Sequence, residues 1–213
     1  MAALAIVYLA AAKLGLAMDA VSGFATLVWP PTGVAFAALL LFGLPLWPGV
    51  WVGAFIANMW TGAPALVAGG IATGNTLEAV VGATLLIRVL GFHPGMAKIR
   101  DAIGFVFIAA ILSTAISATV GVSSLLAGHV IRMDSFAETW RAWWLGDVIG
   151  ALVLAPLLLT WTSLGIPAPS SGRLLEVACL SVLLAVTSVL VFGRHAGAIG
   201  PFYQPYLLLM PVI

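Results

Sequence analysis

Gly70-Ile71-Ala72-Thr73-Gly74-Asn75-Thr76-Leu77-Glu78-Ala79-Val80-Val81-Gly82 lies inside an otherwise apolar run from Ala63 to Leu90. A stretch of that length and hydrophobicity reads as a helix that crosses a membrane. An ionised carboxylate facing lipid at its centre costs about 3 kcal/mol, so Glu78 must face protein. At helical spacing Gly70, Gly74, Glu78 and Gly82 share one face, and Leu77, Val81 and Leu85 occupy another. Asn75 points nearly the same way as Glu78. The helix therefore offers its neighbours an amide and a carboxylate on its smallest, most closely packable side.

The composition agrees with a chain whose solvent is lipid. Hydrophobic residues make up 63%, charged residues only 7%, and the mean hydropathy is +1.20. These values are those of a polytopic membrane protein. A net charge of +1 and the lack of any Lys or Arg run exclude nucleic acid as a partner. The lone cysteine, Cys179, has no partner for an internal disulfide and no ligand set around it. Met1 leads straight into apolar residues without a basic leader, so the first segment reads as a retained span.

Outward from Glu78, the segments are short and proline-bounded on one side and long on the other. Segment one runs from Ala2 to about Met18. Its Lys13 either snorkels to an interface or pairs with a buried acid such as Glu78 or Asp147. After a loop at Asp19–Thr26, Trp29-Pro30-Pro31-Thr32-Gly33 makes a rigid helix start, since proline there lacks no needed donor. Two short apolar stretches, Pro31–Leu44 and Trp47–Trp60, follow on either side of Pro45 and Pro48. They are either steeply packed short helices or a re-entrant pair.

Around the end of this helix at Leu90, Arg88, Lys98 and Arg100 form the densest basic cluster and mark that loop as cytoplasmic. Counting back places the N-terminus in the cytoplasm and the Trp29 and Asn58 loops outside. Segment five, Ala102–Ala127, carries Thr114, Ser117, Gly121 and Ser124 on one narrow face, a pattern that glues helices together. Segment six begins with Trp140, Trp143 and Trp144 and holds a second intramembrane acid, Asp147, on the side of Trp144 and Ala151. A turn at Gly165–Gly172 leads to segment seven, Leu174–Phe192. Pro205–Ile213 reads as an incomplete eighth segment, so a C-terminally truncated chain without an output domain is expected.

Several chemistries are not supported. Gly69–Thr76 has the glycine spacing of a phosphate loop, but Asn75 stands where its lysine should be and no strand precedes it. Zinc-ligand spacing, a nucleophile elbow and a Ser/His/acid set are all lacking. No catalytic residue, metal or cofactor is expected. Intramembrane acids beside short helices are also a signature of transporters, although no internal repeat relates two halves. A structural reading, in which Glu78 and Asp147 only form ion pairs that fix helix register, stands beside these.

The motifs Val28-Trp29-Pro30-Pro31-Thr32-Gly33, Trp47-Pro48-Gly49, Gly53-Ala54-Phe55-Ile56-Ala57-Asn58, Gly74-Asn75-Thr76-Leu77-Glu78-Ala79, Trp143-Trp144-Leu145-Gly146-Asp147 and Leu154-Ala155-Pro156-Leu157 recur in order. In that order the chain resembles the MASE1 family, the membrane-associated sensor domain of bacterial histidine kinases, diguanylate cyclases and phosphodiesterases. The resemblance spans nearly the whole chain. It implies an all-α inner-membrane bundle of about eight helices that feeds a cytoplasmic output domain in two-component or cyclic-di-GMP signalling. The expected partners are membrane lipids, an unidentified small ligand from the periplasm or the lipid phase, that output domain and a second copy of the chain. The candidate site joins Trp29, Pro30, Pro31, Thr32, Asn58, Asn75, Glu78, Trp144 and Asp147 around a cavity in the outer half, with Lys13 as an ion-pair partner.

Overall fold

The structure, a computed structural model, describes residues 1–16, 20–21, 25–26 and 28–163. Six helices account for nearly all of it. They are α1 (Ala2–Leu16), α2 (Pro30–Phe42), α3 (Trp47–Trp60), α4 (Ala65–Leu90), α5 (Ile99–Ala127) and α6 (Phe136–Ser163). The only other pairing among the described residues is a two-residue antiparallel bridge, β1 (Ala20–Val21) on β2 (Ala25–Thr26), in the loop after α1. The expected segments Leu174–Phe192 and Pro205–Ile213 lie outside the described residues.

Three helices, α4, α5 and α6, are long and apolar enough to cross a membrane. The proline-bounded pair is present as separate helices. Pro30 and Pro31 fill the first turn of α2, where two orphan N–H groups would otherwise need partners. Pro45 sits in a tight 3-10 turn, Leu44–Leu46, and Pro48 in the first turn of α3. At the far end of α4, Gly91 adopts φ 62° and ψ 46°, a left-handed cap that a residue with a Cβ takes at a cost.

At the centre is α2. Ten consecutive residues of this 13-residue helix, Pro31–Leu40, are buried, so no face of it is left for solvent or lipid. A helix apolar all round belongs inside a bundle. It packs against α6, α1 and α4, while α4 also packs on α3 and α5, α1 on α3, and α5 on α6. The short central helix is thus enclosed by its neighbours, with α3 packed outside it on α1 and α4. Phe36 of α2 meets Phe105 of α5 edge-on at 5.8 Å, which ties the hub to the fifth helix as well.

Glycines set how closely the helices approach. A Cβ on Gly33 would meet the Gly150 carbonyl at 2.5 Å and Leu154 at 2.7 Å, and one on Gly150 would strike the Trp29 carbonyl. The start of α2 is accordingly seated on α6, where the Trp29 N–H donates to the Gly146 carbonyl at 2.9 Å. On α4, Gly70 lies against Ser124, Gly74 against Val120, and Gly82 between Phe36 and Ser113. The small face read from the sequence is met mainly by the hydroxyl and glycine stripe of α5.

Two helices depart from a regular α ladder. The wall of α5 is wider, in π form, over Phe105–Ser113, and α4 ends the same way over Leu86–Leu90. Pro156 interrupts the ladder of α6, and the Thr160 hydroxyl donates to its carbonyl at 2.7 Å. Both α5 and α6 begin a few residues before the expected Ala102 and Trp140.

Candidate functional site

The seating of α2 on α6 brings Thr32 to Asp147. Thr32 lies one turn inside α2, and its hydroxyl donates to Asp147 Oδ1 at 2.9 Å. The carboxylate therefore sits beside a helix start, where the backbone dipole favours negative charge. Opposite, α4 carries Glu78 into the same junction. The Thr32 and Ser117 hydroxyls border both carboxyl groups, and Asp147 neighbours Glu78.

A hydrogen-bond chain runs beside this pair across four helices. Trp143 Nε1 of α6 donates to Ser117 Oγ of α5 at 3.1 Å, and Ser117 donates to Asn75 Oδ1 of α4 at 2.8 Å. Asn75 Nδ2 then donates to the Tyr8 hydroxyl of α1 at 2.9 Å. Tyr8 lies within electrostatic reach of both acids and is seated against Gly53 of α3. Tyr8, Thr32, Asn75, Glu78, Ser117 and Asp147 are each exposed by 3% or less. Three polar atoms in this region are buried without a hydrogen-bond partner among the described residues: Glu78 Oε1, Asp147 Oδ2 and Trp29 Nε1. Such orphans are rare, because each forfeits its hydration.

Of the residues expected at the site, Thr32, Asn75, Glu78 and Asp147 come together. Trp29 joins them through its backbone on α6 and its indole beside Tyr8. Pro30 and Pro31 shape the helix start and offer no side-chain donor. Asn58 is buried but turns back on its own helix, donating to the Ala54 carbonyl at 2.9 Å. Trp144 is partly exposed. Its indole donates to the Ile111 carbonyl in the wide stretch of α5 and stacks on Trp140 at 5.8 Å. The indole that enters the cluster is Trp143, one helical turn before Asp147.

Lys13 pairs with neither acid. Its ammonium lies 3.6 Å from the Trp60 ring centroid, on a cavity of about 310 Å³ between α1 and α3. A lysine near a helix end keeps its head at the edge of the bundle more cheaply than it buries it. A third buried acid, Asp101, stands apart at the α4–α5 turn, with His93 Nδ1 at 3.6 Å and Arg100 at 3.5 Å.

Sequence reasoning missed Tyr8, Ser117 and Trp143 as cluster members. Spacing held the clue for Trp143, because a residue four before Asp147 shares its face more closely than one three before it. Ser117 had been read as helix glue. Tyr8 carries no local signal, since only the fold brings α1 to Asn75.

A model of the MASE1 family matches residues 1–213, the whole chain. No curated protein and no solved structure matches the sequence.

Proposed function

The chain belongs to the MASE1 family of membrane-associated sensor domains, and we propose that it is a membrane-embedded input domain whose Thr32/Glu78/Asp147 cluster binds a small ligand. The ligand arrives from the periplasm or the lipid phase, and its binding is relayed to a cytoplasmic histidine kinase or cyclic-di-GMP output domain. The N-terminus and the Gly91–Lys98 turn face the cytoplasm on this reading.

One observation carries it. Two carboxylates from α4 and α6 meet at the start of a central helix, each with an oxygen that accepts nothing from the described residues. Ion pairs that merely fix register would bring a basic side chain to these acids, as His93 and Arg100 come within 3.6 Å of Asp101, and no basic side chain of the described residues does so here. A ligand that binds one arrangement of α2, α4 and α6 better than another shifts their packing, and the hydrogen-bond chain spreads the shift to α1 and α5. Orienting, not bond-making, is the chemistry on offer, in keeping with a sensory family.

The test is thermal unfolding of the purified chain against a panel of small polar metabolites and salts, repeated with Glu78→Gln and Asp147→Asn. A compound that raises the melting temperature of the wild type and not of either variant places the site at the cluster. Equal shifts in all three proteins would remove both acids from it.

A further inference from the structure

The hydrogen-bond pattern limits what this cluster can take. A hydroxyl has one proton to donate. Thr32 directs its proton to Asp147 Oδ1, and Ser117 directs its own to Asn75. Trp143 donates to Ser117, and the Asn75 amide donates to Tyr8. Of the described donors nearby, the Tyr8 O–H, the second Asn75 amide N–H and the Trp29 indole N–H are unassigned, none of them is hydrogen-bonded to either acid, and Trp29 Nε1 reaches no acceptor. Two buried carboxylates therefore face a shortage of donors, with Glu78 Oε1 and Asp147 Oδ2 left over.

Charge is short in the same way. Asp101 has an arginine and a histidine within 3.6 Å. No Lys, Arg or His of the described residues pairs with Glu78 or Asp147, and Lys13 is engaged with Trp60. A species that completes this site brings positive charge and accepts oxygen lone pairs. Size narrows it further. Gly82 presses α4 against α2 and α5 at distances where even a methyl group would collide, and Gly74 leaves little more room against α5, so a bulky organic cation does not fit without parting the helices.

The atoms that border the junction are carboxylate and hydroxyl oxygens, the donors preferred by hard cations of the sodium and calcium kind. We propose that Glu78 and Asp147, assisted by the Thr32 and Ser117 oxygens, hold a single such metal cation between α4 and α6. This rests on the sensory reading above and assigns its ligand class. The cation bridges carboxylates on two helices, so its arrival and loss move α4 against α6 on either side of α2.

The experiment uses the full chain in detergent micelles, with sodium, magnesium or calcium chloride compared with choline chloride at equal ionic strength. One of the metals is expected to produce a saturable rise in melting temperature, on the order of a few degrees at about a hundred-fold excess over its dissociation constant. Equilibrium dialysis with the radiolabelled ion then finds a single ion bound per chain. Glu78→Gln and Asp147→Asn are expected to lose the metal response. If either fails to fold, Glu78→Asp, which keeps the charge and withdraws it by one methylene, lowers the affinity instead.

A metal response identical in wild type and both variants, or none beyond choline chloride, overturns the cation. If a metabolite still binds through the two acids, the sensory site stands and only its ligand class falls. If nothing binds through them, both fall.

Discussion

Thr32 is the residue on which the site turns, because its one hydroxyl is the geometric donor to a buried carboxylate. Thr32→Val keeps the shape of the side chain and removes the donor. It is expected to destabilise the chain by about 1 kcal/mol, above the average for an interhelical hydrogen bond inside a membrane because the acceptor is a buried carboxyl oxygen. Thr32→Ser should retain most of that stability. Denaturant titration of both variants in micelles checks the difference, and equal losses would show that the methyl packing matters and the hydroxyl does not. At this scale the sequence was readable wherever a polar residue was out of place in lipid. Asn75, Glu78 and Asp147 announced themselves through the cost of exposing them. Tyr8 and Ser117 are ordinary in a membrane helix, and their roles come from neighbours far along the chain.

Among the elements, α2 decides the arrangement. Pro30-Pro31 announced its start and Pro45 its end, and its run of apolar residues on every side is what a central helix needs. What the periodicity could not give is the partner that each small residue meets. Gly33 and Gly150 fit face to face, and that contact aligns Thr32 with Asp147. Gly150→Leu is therefore expected to push α2 off α6 and to destabilise the fold by about 3 kcal/mol, at the upper end of overpacking effects. Gly69→Leu, at a position with nothing within 4 Å of a Cβ, should be nearly neutral. Melting curves of the two variants make the comparison, and similar losses would remove the Gly150 contact as the determinant. The misplacement of Trp144 also belongs here. The wide stretch of α5 changes which carbonyls the ladder uses, and Ile111 offers its oxygen to that indole. Nothing in the local sequence predicts a wide turn at Phe105–Ser113.

For the whole molecule, composition and span length gave an all-α membrane bundle, and the described residues form one around α2. On the proposed sidedness the basic residues near the α4–α5 turn lie in the cytoplasm. With Cys179 replaced by serine, a single cysteine at Ala97 should react with a membrane-impermeant maleimide in inverted vesicles and not in intact spheroplasts. The opposite pattern would reverse the bundle in the membrane. One further consequence follows from length. At 1.5 Å per residue the 13 residues of α2 and the 14 of α3 reach about 20 Å, against a hydrocarbon layer of about 30 Å. While α2 is shielded by its neighbours, α3 presents Trp47, Val52, Ile56, Met59 and Trp60 outward. Acyl chains beside α3 must shorten or tilt to match it, which costs fractions of a kcal/mol per ångström. Bilayer thickness thereby becomes a mechanical variable that this bundle feels, acting on α3 and through it on α4, which packs against α3 and carries Glu78.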